Sequence, residues 1–192
     1  NFAIMETTIH LAGISGSLRK GSFNTMLLNN TLNFLPAGVT MDTLPINDIP
    51  LYNADLDLPT AKERPAVVTK FRNDLAKADG IVFVSPEYNY SIPGGLKNAI
   101  DWASRGEDSP LLKKPVAVMG ATPGLWGTIR MQFAFHAVFQ FLDMKPVYKP
   151  EVLIAQANKK FDDKGILSDQ VAIDLIRKKL EALKDLIIHY RK

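Results

Sequence analysis

The sequence predicts an α/β fold: a parallel sheet of five strands with helices on both faces. Strand-like apolar runs recur along the chain, and between them lie segments whose apolar residues repeat at helical spacing. One run, Gly80-Ile-Val-Phe-Val84, is apolar without alternation, as a strand covered on both faces requires. Strands that alternate with helices build a parallel sheet, because each crossover lays its helix on a sheet face.

Taken in order, the first strand is expected at 8–14, an apolar run broken by His10, and is followed by a small-residue loop. A helix then carries Leu27, Leu28, Leu32 and Leu35. Residues 39–44 alternate as a second strand. The stretch 45–65 holds Pro45, Pro50, Pro59 and Pro65 with no clear period, and reads as an ordered functional loop. Val67, Phe71, Leu75 and Ala78 form a helical stripe ahead of the third strand at 80–84. Leu96, Ile100 and Ala103 form the next stripe, with Trp102 as a core residue, and 115–119 is the fourth strand. Residues 128–142 form a helix. A fifth strand is expected across 146–154, at a sheet edge because Pro146 and Pro150 interrupt it. The last helix is expected to open at an N-cap Ser168 and to bury Ile176, Leu180, Leu183, Ile187 and Tyr190.

Composition narrows the function classes. The 192 residues are 46% hydrophobic and 22% charged, which suits one globular domain. The formal net charge is +3, but no run of five basic residues occurs and none interleaves with aromatics, so nucleic acid is not the expected partner. Zero cysteines exclude disulfides, thiolate metal sites and thiol catalysis, and three scattered histidines argue against a metal centre. No apolar stretch reaches the roughly 18 residues of a membrane span, and the cytoplasm is the expected compartment. Met5 reads as the natural start, with residues 1–4 a cloning remnant and 5–192 a single domain.

The loop Gly13-Ile-Ser-Gly-Ser-Leu-Arg-Lys-Gly-Ser-Phe-Asn24 carries the first chemistry. Its order fits neither a Walker A loop, nor a dinucleotide fingerprint, nor a nucleophile elbow. What remains is a hydroxyl-rich anion nest at a helix N-terminus, with Ser17, Ser22 and Asn24 as neutral donors and Arg19 as charge. Charge-assisted hydrogen bonds are worth about 1.5–3 kcal/mol each, and the helix dipole adds roughly 0.3–1 kcal/mol. Ser22 or Asn24 also suits a helix cap. A second constellation, Ser85-Pro-Glu-Tyr-Asn-Tyr-Ser-Ile-Pro-Gly-Gly-Leu-Lys-Asn-Ala-Ile-Asp-Trp102, leaves the third strand, and a third, Gly120-Ala-Thr-Pro-Gly-Leu-Trp-Gly127, leaves the fourth. Ligands of open α/β sheets bind at these strand ends, so the three loops describe one cleft with a phosphate end and a flat, aromatic-friendly end.

Ser17-Leu-Arg-x-x-Ser-x-Asn24 and Pro86-Glu-Tyr-Asn-Tyr-Ser-x-Pro-Gly-Gly-Leu-Lys-Asn-Ala-Ile-Asp-Trp102 resemble the NAD(P)H-dependent FMN reductase family, in particular its chromate and quinone reductase branch. The resemblance covers roughly residues 8–154. It implies a flavodoxin-like three-layer sandwich with strand order 2-1-3-4-5, FMN as cofactor, and NADPH or NADH as co-substrate. It implies that Ser17, Arg19, Ser22, Phe23 and Asn24 hold the FMN phosphate. Pro86, Glu87, Tyr88 and Asn89 would line the isoalloxazine ring, with Thr122 where many members have serine. Pro123, Trp126 and Thr128 depart from the family's frequent Ser-x-Gly-x-x-Gly-Gly loop and bear on acceptor preference. The implied reaction is a ping-pong, two-electron reduction of quinones, with chromate, azo and nitro compounds as further acceptors and no catalytic side chain. Backbone N–H groups of the 86–91 loop would stabilise the reduced flavin. The alternative is a non-enzymatic FMN electron carrier or redox sensor. In the 128–142 helix, Phe133, Phe135, Phe139 and Phe141 span an arc too wide for one sheet face. With the resemblance, this predicts a homodimer or homotetramer and places His136 on a surface or interface.

Overall fold

The computed structural model describes residues 8–191. The expected start at Met5 and the remnant 1–4 lie outside the described residues. The elements run β1 (Ile9–Ser15), α1 (Phe23–Thr31), β2 (Val39–Thr43), α2 (Ala66–Lys77), β3 (Gly80–Val84), α3 (Gly94–Ala103), β4 (Pro115–Ala121), α4 (Ile129–Phe141), β5 (Lys145–Pro146), β6 (Leu153–Ile154) and α5 (Gln170–Tyr190). The sheet order is β2-β1-β3-β4-β5, every pair parallel, with β6 pairing farther along β4. This is the flavodoxin-like topology, with its switch point between β1 and β3.

The period of two along β3 divides the core. Ile81 and Phe83 pack with Phe71, Leu75, Leu96 and Phe135, so α2, α3 and α4 cover one face. Val82 and Val84 pack with Leu27, Ile176 and Leu183, so α1 and α5 cover the other. Trp102 is fully buried, and its indole N–H donates to the carbonyl of Pro50 at 2.8 Å. The 45–65 stretch is thereby fastened to α3, and Asn98 adds bonds to Pro50 and Tyr52. Farther along, Arg64 pairs with the buried carboxylate of Asp57 and with Asp108.

Several features differ from the expectation. The fifth strand divides into β5 and β6, because the intervening segment leaves the sheet between Pro146 and Leu153. The N-cap of α5 is Asp169, whose carboxylate accepts the N–H of Ala172 at 2.7 Å, while the Ser168 hydroxyl turns back to Lys160 O. Tyr190 is exposed, whereas Ile176, Leu180, Leu183 and Ile187 are buried. The first helix stops at Thr31 and tightens into a 3-10 turn over Leu32–Phe34, leaving Leu32 exposed. No helix among the described residues is long and apolar enough to cross a membrane.

Candidate functional site

The loops after β1, β3 and β4 meet at the C-terminal edge of the sheet and are locked to one another. Gly16 N–H donates to Val84 O at 2.8 Å. A side chain at Gly16 would put its Cβ 2.3 Å from Ser85 Oγ, so only glycine allows that approach. The Asn24 amide is used twice on one residue, donating to Ala121 O at 2.9 Å and accepting from Ala121 N–H at 2.8 Å. Asn24 is buried. It therefore holds the start of α1 against the end of β4, with one of its two amide N–H groups committed to that contact.

Around that anchor lies a cluster of open donors. Ser22 is the N-cap of α1, its hydroxyl oxygen accepting from Asn24 N–H. Ser17 Oγ accepts from Arg19 N–H at 3.3 Å. Both hydroxyls accept locally, which leaves their O–H protons to donate outward. The backbone N–H groups of Leu18, Lys20, Gly21, Ser22 and Phe23 have no protein acceptor among the described residues. Those of Ser22 and Phe23 are orphan donors of a helix N-terminus, those of Leu18, Lys20 and Gly21 belong to the loop before it, and together with the helix dipole they suit an anion. Arg19 is exposed; one of its guanidinium N–H groups bonds Gly21 O at 2.8 Å and shapes the loop, while the others face water. The Phe23 ring points away from the donors, 5.6 Å from the ring of Phe161, so Phe23 serves the seat through its backbone. On the β2 side, Ser17 and Arg19 also border a groove of about 590 Å³ that Pro45 and Asn47 help to line, placing the 45–65 stretch beside the loop.

The loop after β3 folds as a miniature hairpin. Tyr88 and Ser91 exchange both backbone hydrogen bonds, at 3.1 and 3.0 Å, around Asn89 and Tyr90. Those two have φ of +50° and +63°, the pair of left-handed residues that a type I′ turn demands. The hairpin consumes the N–H groups of Tyr88 and Ser91, so the N–H groups of Glu87, Asn89 and Tyr90 are the ones left open. Pro86 is half-buried, its carbonyl taken by the Ser85 hydroxyl. The Glu87 carboxylate points to α4: it accepts the N–H groups of Arg130 and Met131 at 2.9 and 3.2 Å and lies 3.6 Å from the Arg130 guanidinium. Glu87 therefore caps α4, and any contact it makes with a ring comes from its backbone. Thr128, at the N-cap position itself, is left-handed, makes no capping bond, and has a buried hydroxyl without a partner among the described residues.

After β4, Thr122 Oγ1 accepts Gly124 N–H at 3.2 Å, and the loop is tied to the chain beyond β6 through Ile154 and Gln156. Leu125 and Trp126 stand exposed at its tip. Arg130 was not foreseen. Its guanidinium lies 4.1 Å from the centroid of Tyr90 and 5.2 Å from that of Trp126, joining the second and third loops. Of its partners only Trp126, four residues upstream, is local, whereas Tyr90 and Glu87 are distant in sequence.

The model for NADPH-dependent FMN reductases matches residues 9–159. The chain belongs to the NADPH-dependent FMN reductase family. It is 44% identical over 180 residues to an NAD(P)H-dependent FMN reductase of Pseudomonas aeruginosa, covering 94% of this chain and 96% of that one. It is 40% identical over 185 residues to a quinone reductase of Escherichia coli, covering 95% and 97%. Among solved structures it superposes on FerB, a flavoenzyme NAD(P)H:(acceptor) oxidoreductase of Paracoccus denitrificans, with a TM-score of 0.84, 28% identity, and 95% and 98% coverage. This reductase family uses FMN with NAD(P)H, and the donor set fits that cofactor. Orphan N–H groups and outward serine protons suit a phosphate monoester, and a loop with open N–H groups and exposed tyrosines suits a flat heterocycle. No group of acidic and histidine side chains that could hold a metal occurs among the described residues.

Asp57, Arg72 and Lys179 are buried charged residues outside this cleft, and Lys179 borders a cavity. A cavity of about 200 Å³ opens between α4 and the β5–β6 connection, lined by Phe133, His136, Phe139, Tyr148, Glu151 and Lys179. Lys179 is almost fully buried, and its ammonium donates to the carbonyls of Val147 and Tyr148. Burial pushes its pKa down from 10.5 to about 8, against the attraction of Glu151 and helped by the repulsion of Lys149.

Proposed function

We propose that this reductase carries out a ping-pong, two-electron reduction of quinones at the expense of NAD(P)H, with chromate, azo and nitro compounds as further acceptors. The observation that carries it is the meeting, at one sheet edge, of an open anion seat and a loop with open N–H groups and exposed rings. When bound, FMN supplies the redox chemistry. Ser17, Ser22 and the N–H groups of 18 and 20–23 seat the phosphate, and Arg19 adds charge. Asn24 holds the seat in register with β4. Pro86 and the backbone of Glu87, Tyr88 and Asn89 flank the ring, and their open N–H groups favour negative charge on it. Thr122 closes the third side with its hydroxyl. No side chain has to move a proton for a hydride to transfer, which agrees with a cleft without histidine. NAD(P)H and acceptor use the open edge in turn. Dependence on NAD(P)H supports placing the reaction in the cytoplasm.

The chain is further proposed to act as a homodimer or homotetramer through α4. Phe135 and Phe139 are buried, whereas Phe133 is 59% and Phe141 77% exposed, an apolar outer face that a second copy would cover. His136 stands exposed on that face, 5.2 Å from Tyr148 and 5.3 Å from Phe133.

The test is NAD(P)H oxidation by purified protein with menadione, with and without added FMN. Steady turnover that needs FMN and no protein partner is expected. FMN binding without turnover would sink the reductase reading in favour of a carrier or sensor. A monomeric mass by light scattering at micromolar concentration would sink the oligomer.

A further inference from the structure

Trp126 stands at the tip of the third loop, and the structure gives its indole no part in the core. It is 65% exposed. Its backbone is fixed without it: Trp126 O accepts Ile129 N–H at 3.2 Å. The next residue, Gly127, has φ of +58° and sits so tightly that a Cβ would lie 2.7 Å from Leu153. Yet the ring is not loose. Arg130 lies between it and Tyr90, itself 69% exposed, at 5.2 and 4.1 Å from the two centroids. The guanidinium is in turn held by Glu87, the residue that caps α4. Two exposed rings from different loops are thus braced by one cation at the ring end of the cleft. A large apolar ring open to water beside this cation, with no core to serve, is a surface for another flat molecule.

We propose that Trp126 is a specificity-determining residue of the acceptor site, an aromatic wall that favours flat aromatic acceptors over compact ones that cannot stack. The proposal rests on the reductase reading above. Arg130 and Glu87 act through Trp126 as positioning residues, keeping the wall upright while the acceptor exchanges with NAD(P)H.

The experiment uses the FMN-loaded protein with menadione, a two-ring quinone, and ferricyanide, which has no ring. In Trp126→Ala the ratio of kcat/KM for menadione to that for ferricyanide is expected to fall roughly three- to tenfold, through KM for menadione, the range that aromatic stacking supplies. Trp126→Phe is expected to restore most of it. A second readout needs no turnover: menadione titrated into oxidised holoprotein should quench tryptophan emission saturably. Trp102 is buried and bonded to Pro50, so the quench should vanish in Trp126→Phe. An unchanged ratio, or a quench that survives in Trp126→Phe, overturns the proposal. So does weaker FMN binding in Trp126→Ala, which would assign the indole to the cofactor instead. If wild-type protein binds FMN but reduces neither acceptor, the reductase reading fails, and the quench titration alone decides the wall.

Discussion

Replacing Lys179 with methionine removes a buried ammonium whose pKa lies at about 8 instead of 10.5. In the unfolded chain the amine keeps its proton up to the ordinary lysine range, whereas in the folded chain it releases it near pH 8. Between those values the unfolded state binds more protons, so stability rises with pH across the window and is lost again as pH falls from 10.5 to 8. At about 1.4 kcal/mol per pK unit, the full displacement is worth on the order of 3 kcal/mol. The substitution also strips donors from Val147 O and Tyr148 O, but that cost does not depend on pH. The measurement is therefore a difference: urea unfolding of wild type and Lys179→Met at pH 7, 8, 9 and 10. Other lysines and tyrosines titrate in both proteins and cancel. The stability of wild type relative to the variant should be flat up to pH 8 and then climb by about 2–3 kcal/mol toward pH 10. A gap that stays constant from pH 7 to 10 would refute the reasoning, because it would mean that the folded protein solvates this ammonium as well as water does.

Arg19→Ala should weaken FMN binding by about 1.5–3 kcal/mol, roughly ten- to hundredfold, as read by flavin fluorescence titration; unchanged affinity would remove the guanidinium from the phosphate seat. Asn24→Ala leaves the N–H and C=O of buried Ala121 without partners and should cost about 2–3 kcal/mol in urea unfolding, with FMN affinity falling as the seat loses its register; a loss below 0.5 kcal/mol would show that water replaces the amide. Arg72→Met removes hydrogen bonds to Trp102 O, Ala103 O and Asp108 O and the 2.9 Å ion pair to Asp108. Because Arg72 is buried at the C-terminal end of α3, the expected cost is on the order of 3 kcal/mol, measured in the same way.

What the sequence made legible was local chemistry with a local signal. β3 could be placed to the residue because an unbroken β-branched run has only one reading between two helical stripes. The first loop announced itself because serine, glycine and arginine donors crowd into twelve positions ahead of a helix. What stayed hidden depended on distant partners. Glu87 looked like a ring contact because it sits in the ring loop, but its carboxylate answers the unsatisfied N–H groups of α4, forty-odd residues on. Asn24 looked like a phosphate donor, and only the packing of α1 on β4 turns its amide to Ala121. Lys179 stands beside the buried Ile176, Leu180, Leu183 and Ile187, and nothing in α5 says that Val147 and Tyr148 will supply the carbonyls that let it be buried. Ser168 and Asp169 are equally good caps by composition, and the geometry of the entering chain chose the second.

The paired bonds between Asn24 and Ala121 bear on how the protein lives with its flavin. They are made entirely by the polypeptide, within the core, and need no ligand to form. The start of α1 and the end of β4 thus hold a fixed spacing through contacts of the chain itself, so no ligand binding energy has to go into bringing these two elements together.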